Sequence, residues 1–581
     1  MDVVQGKSTT SSSDCGNAAT YPNIEPGVAP IKSEFLRCRP PPRTTTDSSA
    51  QATELQKDEP QQNNGSNRKR KRGQNKKRPL TTSIEKGKLL CPKLIADEVC
   101  EFGTSCRFLH DVDAFLQSKP PDLGDKCVIF DAYGKCPYGL ACRYGSSHVN
   151  NKKNVIDEER LRASATKNCM SKEALSDLRK KKIQFPKADA YVKAISAMND
   201  MKNDAAEGRS TIGTLTDEDL ITIRPEEKKQ INFSNKLFLA PLTTVGNLPF
   251  RRICKTFGAD VTCSEMALCT NLLQGQQSEW ALVKRHESED LFGLQVCGAW
   301  PDTLARLSEY INDRVNVDFV DLNLGCPIDL VFHQGAGSAL MGRANKLQQI
   351  VTGMSSILSV PLTVKLRTGI LAKKSTAHKL IPQIREWGAS LVTLHGRSRE
   401  QRYTKLADWS YINECATAAD PMPLIGNGDI LSFEDYLEHM NNTNVAGVMI
   451  ARGALIKPWL FTEIKERRHW DISANERFEF LRKYVNYGLE HWGSDSLGVE
   501  KTRRFLLEWL SFLHRYIPIG VLERVPQRIN DRPPYYVGRN DLETMMSSTD
   551  CTVWVKLSEM LLGSVPTNFQ FLPKHRANSY Q

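Results

Sequence analysis

From about residue 231 the chain alternates short apolar runs with longer amphipathic stretches. Eight runs recur, at 236–240, 260–264, 291–295, 317–323, 361–365, 390–395, 423–427 and 446–450. Each has the length and composition of a buried strand, and segments such as 302–313 and 376–387 place apolar residues on the 3.6-residue period of a helix. Strands alternating with helices eight times predict an α/β fold, a (β/α)8 TIM barrel over 231–460. A doubly wound open sheet is the alternative, but no Gly-x-Gly-x-x-Gly follows the first run. After Trp459 the pattern changes to long amphipathic stretches at 461–468, 474–492, 499–516 and 544–562. These predict a separate C-terminal helical domain over 461–565, followed by a flexible tail at 566–581.

Ahead of the barrel the pattern is weaker. Residues 1–88 are poor in apolar side chains and rich in Ser, Thr, Gln, Asn and Pro. Such a stretch cannot bury enough surface to offset chain entropy and is predicted to be disordered. It carries a basic cluster at 68–78, Arg68 to Arg72 and Lys76 to Arg78. That cluster fits a nuclear-import signal, an RNA-binding arm or a solvated charge run, and places the protein in the nucleus, the cytoplasm or both. Residues 151–230 are charged and Lys-rich, with helical character at 171–182, and read as a partly helical linker.

Composition narrows the class. Of 581 residues, 40% are hydrophobic and 25% charged, as in a soluble protein with a large core. No run approaches the ~18 apolar residues of a membrane span, and residues 1–13 lack the apolar centre of a secretory signal. A net charge of +11 points to a polyanionic partner, most plausibly nucleic acid. Sixteen cysteines without a signal peptide imply reduced thiols and metal ligands, not disulfides.

Eight metal-ligand candidates fall into two sets of matching spacing. Cys91, Cys100, Cys106 and His110 read C-x8-C-x5-C-x3-H, and Cys127, Cys136, Cys142 and His148 read C-x8-C-x5-C-x5-H. Three thiolates and an imidazole complete a closed tetrahedral zinc shell. Zinc-finger units are thus predicted at 89–113 and 125–150, each too small to fold without its metal. Phe102, Arg107 and Phe108 in the first, and Tyr138, Arg143 and Tyr144 in the second, suit base stacking and phosphate contact; they equally suit filling each unit's small core.

Chemistry in a barrel sits at the carboxyl ends of its strands. Here those ends carry Ala240-Pro241-Leu242-Thr243, then Gln295, Asn323 and Cys326, Lys365 and Arg367, His395-Gly396-Arg397, Asn427-Gly428-Asp429 and Ala451-Arg452-Gly453. An isolated cysteine is usually a small buried hydrophobe, and each of the other groups alone has an ordinary capping or surface role. Their joint recurrence at successive strand ends is harder to explain that way. The loops after strands seven and eight, with Gly428, Gly453 and Arg452, suggest a phosphate-bearing cofactor.

These motifs, spanning roughly 237–459, resemble the tRNA-dihydrouridine synthase family. The paired CCCH units and Leu242-Thr243-Thr244 resemble its eukaryotic zinc-finger branch, which acts at position 47. The resemblance implies FMN, NADPH or NADH as reductant, two zinc ions, and uridine in the tRNA variable loop as substrate, with mRNA a further one. It implies that Pro241, Leu242, Thr243, Gln295, Lys365 and His395 border the flavin ring. Asn427, Gly428, Asp429, Ala451 and Arg452 would hold its tail, Asn323 would position the uracil, and Arg367, Arg397 and Arg399 would meet RNA. The resemblance further implies that a hydride would pass from flavin N5 to uracil C6 of a flipped base, with Cys326 as the proton donor to C5. The basic side chains Lys501, Arg503, Arg504, His514 and Arg515 resemble the family's tRNA-contacting helical domain.

Two other readings compete. Another FMN-barrel pyrimidine oxidoreductase would use similar strand-end groups but would not need CCCH units or a basic arm. An RNA-binding regulator on an inactive barrel would not need Cys326, Lys365, His395 and Arg452 intact.

Overall fold

The eight apolar runs form eight parallel strands in the computed structural model, which describes residues 27–37, 86–206 and 227–574; the basic cluster at 68–78 lies outside them. The barrel strands are β1 (Leu237–Leu239), β2 (Thr262–Cys263), β3 (Phe292–Cys297), β4 (Phe319–Leu324), β5 (Leu362–Arg367), β6 (Leu391–His395), β7 (Leu424–Asn427) and β8 (Gly447–Ile450). Neighbours pair in sequence order from β2 to β8, β8 returns to β1, and a parallel bridge between Phe238 and Val261 joins the ends. Helices Pro301–Arg314 and Ala377–Glu386 occupy the two segments with helical periodicity. Pairing register aligns the strand-end residues. Gln295 sits opposite Asp321, Asn323 opposite Lys365, and His395 opposite both Arg367 and Asn427.

Helix Ala474–Trp492 starts at a capping box in which Ser473 and Glu476 satisfy each other's backbone N–H groups. Gly493, at φ 119°, ends it, and Asp495 caps the next helix, Ser496–Leu513. The stretch at 544–562 is two helices, Asp541–Ser547 and Cys551–Leu562, because the Asp550 carboxylate accepts from Thr552 N and starts the second. These C-terminal helices pack directly on the barrel wall. Trp459, Tyr484, Trp509 and Trp554 share one buried cluster with Leu237, Val448 and Ile450 of the barrel wall, and Trp509 Nε1 donates to Leu455 O at 3.0 Å.

Two segments depart from the expectation of disorder or flexibility, and the partly helical linker lies against the barrel. Residues 27–37, inside the stretch read as disordered, lie against the chain at 517–537. Ala29 N donates to Arg532 O and Lys32 N to Val521 O, and Ala29 and Ile31 are buried with Ile517, Val521 and Tyr536. A few apolar residues within a polar stretch thus find a groove elsewhere, which local composition does not reveal. In the linker, Ala188 N donates to the buried Glu309 at 2.9 Å and Tyr191 Oη donates to Gln349 O at 2.6 Å, so the start of helix Pro186–Ala206 lies along the barrel. In the tail, Lys574 N donates to Glu508 Oε2 at 3.0 Å.

Candidate active site and metal centres

Strand β4 is apolar except at Asp321 and Asn323, which the two-residue period puts on one face. Both are buried and both join one hydrogen-bonded chain. Thr363 Oγ1 donates to Asp321 Oδ1 at 2.6 Å, and Gln295 Nε2 donates to Asp321 Oδ2 at 2.7 Å. Asn323 Nδ2 donates to Gln295 Oε1 at 2.9 Å, and Asn323 Oδ1 accepts the N–H groups of Gly325 and Cys326 at 3.1 and 2.9 Å. The network fixes the turn that carries Cys326. It also commits the Asn323 carbonyl, leaving its second Nδ2 hydrogen as what Asn323 can offer a substrate. Asp321 and Thr363 were not picked out from the sequence. The available signal was a carboxylate two residues before Asn323 on an otherwise apolar strand.

The Cys326 turn is clamped from β5 as well. Arg367 Nε donates to Gly325 O at 2.8 Å and its Nη1 to Ser398 O at 3.0 Å, and Ser338 Oγ donates to Cys326 O at 2.8 Å. Burial raises the Cys326 thiol above its ordinary pKa; the Ile328 N–H and the charges of Arg367 and Arg399 oppose that rise without cancelling it. Arg367 is buried and joins the loops after β4 and β6, so the direct RNA contact read for it gives way to a positioning role. Arg399 pairs with Asp329 at 2.7 Å and lies 3.8 Å from the centre of the Phe332 ring.

Lys365 and His395 follow on adjacent strands. Lys365 Nζ lies 3.5 Å from Asn427 Oδ1. Burial, then Arg367, pull its pKa down to about 8 against the pull of Asp321. Burial and the cations Arg367, Lys365, Arg397 and Arg452 hold His395 well below the usual imidazole range. His395 is therefore a neutral ring at physiological pH. With Arg397 Nη1 at 3.4 Å from its Nε2, its Nδ1 is the nitrogen that carries hydrogen.

The loops after β6, β7 and β8 meet at Asp429. Its carboxylate accepts from Arg397 Nη2 at 2.6 and 2.7 Å, from Arg452 Nη2 at 2.7 Å and from Ala407 N at 2.7 Å. Arg397 also gives Nε and Nη2 to Lys405 O and is 0% exposed. A guanidinium enclosed in this way cannot reach an RNA phosphate, which corrects the substrate role expected from its His-Gly-Arg setting. The glycines have local reasons too. A Cβ on Gly428 would meet Ala407 Cβ at 2.4 Å, and one on Gly453 would meet Ile430 O at 2.1 Å. Both are required by packing of the chain on itself.

The loop after β1, with Pro241, Leu242 and Thr243, ends in Thr244 at φ 77°, a conformation costly for a β-branched residue. Two contacts hold it there. Thr244 N donates to Glu265 Oε1 at 2.7 Å, and Lys574 Nζ donates to Thr244 Oγ1 at 3.0 Å.

Flavin mononucleotide fits this donor set. Lys365 is an ammonium facing an amide oxygen and, among the described residues, no carboxylate within hydrogen-bond reach, suited to the electron-rich edge of a flavin. Arg452, partly exposed beside Ala451, offers a cation to a phosphate.

Both cysteine sets close into metal shells. In each, three Sγ atoms and one imidazole nitrogen lie within 4.8 Å of one another. The Cys91–Cys106 and Cys127–Cys142 sulfur separations of 3.9 and 3.8 Å match the edge of a tetrahedron with Zn–S bonds of about 2.3 Å. Among the described residues, His110 Nε2 and His148 Nε2 are buried without a hydrogen-bond partner, which fits metal-ligating nitrogens. The other nitrogen of His148, Nδ1, pairs with Asn154 Oδ1 at 3.0 Å, fixing the ring. The aromatics around the two shells differ. Phe102 of the first is 69% exposed, whereas Tyr138 and Tyr144 of the second pack inward. In the helical region, Arg503 and His514 are buried, with Arg503 holding the carbonyls at 562–564, so neither faces RNA.

The chain is similar to known proteins over most of its length. Residues 238–512 match the family model described as dihydrouridine synthase (Dus). Residues 79–118 and 119–151 match the DUS3L CCCH zinc finger domain. A Xenopus tropicalis protein named tRNA-dihydrouridine(47) synthase [NAD(P)(+)]-like is 58% identical over 538 residues, covering 88% of this chain and 84% of its own. A Homo sapiens protein of that name is 56% identical over 552 residues, covering 88% and 85%. The tRNA-dihydrouridine(47) synthase [NAD(P)(+)] of Coprinopsis cinerea is 42% identical over 667 residues, covering 96% and 98%.

Proposed function

Because this chain belongs to the dihydrouridine synthase family, we propose that it is an FMN-dependent oxidoreductase that reduces uridine to 5,6-dihydrouridine in tRNA, at position 47 of the variable loop. The observation that carries the reading is the Cys326 thiol, kept protonated by burial and fixed on the turn after β4, beside strands that bring Lys365 and His395 to the same rim. The chemistry FMN would supply when held there, with NADPH or NADH as reductant, is the hydride for uracil C6.

The residues supply the rest. The Cys326 thiol gives its proton to C5 as electron density arrives there, and the Ile328 N–H, Arg367 and Arg399 stabilise the thiolate left behind. Lys365 and His395 would hold the flavin's electron-rich edge, Pro241, Leu242 and Thr243 would border its ring, and Asn427 and Arg452 would hold its tail. Asp429 acts through Arg452, which it orients. The rim suits an RNA strand. Trp300, Ile328, Leu330, Leu371, Tyr403 and Leu406 are large exposed hydrophobics in the loops after β3 to β6. Exposed Arg343, Lys373, Lys374, Arg402 and Lys405 lie among them. Apolar faces for unpaired bases beside cations for phosphates are the pattern of single-stranded RNA binding.

We further propose one zinc ion in each cysteine set, mRNA as an additional substrate, and nuclear as well as cytoplasmic residence directed by the basic cluster. Among the described residues, no helix is long and apolar enough to cross a membrane.

The test is direct. Purified yellow protein with NADPH and an unmodified tRNA transcript should form dihydrouridine at position 47 and leave free dihydroorotate untouched. Colourless protein, or oxidation of dihydroorotate instead, would overturn the reading.

A pH dependence follows from Lys365. Its cation is present below about pH 8 in the free protein, and the electron-rich carbonyl edge of a flavin would raise that value on binding. Flavin affinity should therefore be level near pH 7 and weaken up to tenfold per unit as pH rises above about 8. Fluorescence quenching titrations check this, and Lys365→Met should flatten the curve. The sign for stability is opposite: with the folded pKa below the ordinary 10.5, unfolded chain binds this proton more tightly, so Lys365 makes the apoprotein gain stability from pH 8 to 10.5.

A further inference from the structure

The second cysteine set touches a residue that no ligand motif includes. Ser494, on the turn between helices Ala474–Trp492 and Ser496–Leu513, has its Oγ 3.1 Å from Cys142 Sγ and 3.5 Å from Cys136 Sγ. A metal-bound thiolate has no hydrogen, so the serine hydroxyl is the donor and Cys142, the nearer sulfur, the acceptor. The Ser494 side chain enters the shell from more than three hundred residues away.

The backbone repeats the contact. Arg143 N donates to Ser494 O at 2.8 Å, and Cys142 forms an antiparallel bridge with Asp495. Gly493 is needed for the approach: a Cβ there would meet the Tyr138 ring at 2.7 Å. Beside it, Tyr133 Oη donates to Glu490 Oε1, and Arg252 of the barrel takes the other oxygen of that carboxylate at 2.6 Å. The groups with which this unit would have read RNA are thereby occupied. Tyr138 covers Gly493, Tyr144 packs on the core shared by barrel and helices, and the Arg143 guanidinium gives Nε and Nη2 to Pro121 O. The first unit has no such attachment at Phe102, which is exposed.

We propose that the second metal centre is an intramolecular clamp: its zinc-bound Cys142 thiolate accepts the Ser494 hydroxyl, tying the unit to the turn at 493–495 and fixing the helical region against the barrel, while RNA reading falls to the first unit. This rests on the reading of Cys127, Cys136, Cys142 and His148 as a zinc shell. Ser494 is thus a positioning residue for the metal.

The test uses the full-length holoprotein and a chromogenic chelator. Metal analysis first counts zinc, and fewer than two ions per chain would remove the zinc reading itself. With two present, release should show a fast and a slow phase. Cys91→Ser should abolish the fast one. Ser494→Ala, which keeps all eight ligands, should accelerate the slow phase on the order of 10–100-fold and leave the fast phase unchanged; Ser494→Thr should restore slow release. Hydrogen exchange supplies an independent readout. In Ser494→Ala, amides at 493–499 should lose protection as the slow zinc leaves, with barrel strands unchanged. Wild-type release kinetics in Ser494→Ala, or amides at 493–499 indifferent to zinc, would overturn the clamp.

Discussion

Replacing Cys326 with alanine is expected to slow dihydrouridine formation on tRNA by about 10²–10⁴, while the protein stays yellow and NADPH still bleaches it. The thiol is buried and above its ordinary pKa, so the wild-type enzyme holds its acid protonated throughout the neutral range. Its single-turnover rate should therefore be level there and fall only above the ordinary thiol range of about 8.5. The turn itself does not need the sulfur. Asn323 Oδ1 binds the backbone N–H groups at 325 and 326, and Ser338 binds the Cys326 carbonyl. The alanine variant thus loses the proton and little else. Rapid-quench single turnover with pre-reduced enzyme and nucleoside analysis measures the effect. An unchanged rate would remove Cys326 from the chemistry; a matching loss of flavin would show that the turn, not the proton, had been disturbed.

Most of the barrel was legible because each strand is buried on both faces and so is written as a continuous apolar run. The same legibility explains what was missed. Asp321 sits inside such a run and reads as an interruption, yet it receives Gln295 and Thr363 and so positions the Cys326 turn from below. The break at Ser548 to Asp550 escaped a periodicity reading because three polar residues fit a solvated helix face as well as a cap. Residues 27–37 looked disordered because their partners, Ile517 and Tyr536, lie some five hundred positions away. The cysteine spacings gave the two shells but not their difference. Nothing in C-x8-C-x5-C tells that one unit rests on Gly493 and Ser494 while the other leaves Phe102 in solvent. Arginines are the hardest case. Arg367 and Arg397 sit at strand ends where a substrate contact is reasonable, and only burial shows that their hydrogen bonds go to the chain itself.

Arg397 gives the second large effect, and it separates two accounts of one residue. Were it an RNA contact, Arg397→Ala would raise the KM for tRNA and leave the fold alone. In the structure its guanidinium closes on Asp429 and Lys405 O with no exposed surface. Removing one partner of such a buried pair costs about 3–5 kcal/mol, because Asp429 keeps only Arg452 and the Ala407 N–H and the loop at 396–408 loses its anchor. Arg397→Ala should then shift the denaturation midpoint well down and lose FMN. Arg397→Lys should rescue little, since an ammonium lacks the fork that reaches Asp429 and Lys405 O together. Exposed Arg402, five residues on, is the control: Arg402→Ala should stay within about 0.5 kcal/mol of wild type and weaken tRNA binding alone, with a shallower salt dependence. Denaturant titration, flavin content and tRNA affinity across the three variants decide between the accounts. An Arg397→Ala protein that keeps its midpoint and its flavin but loses tRNA would return Arg397 to the RNA interface.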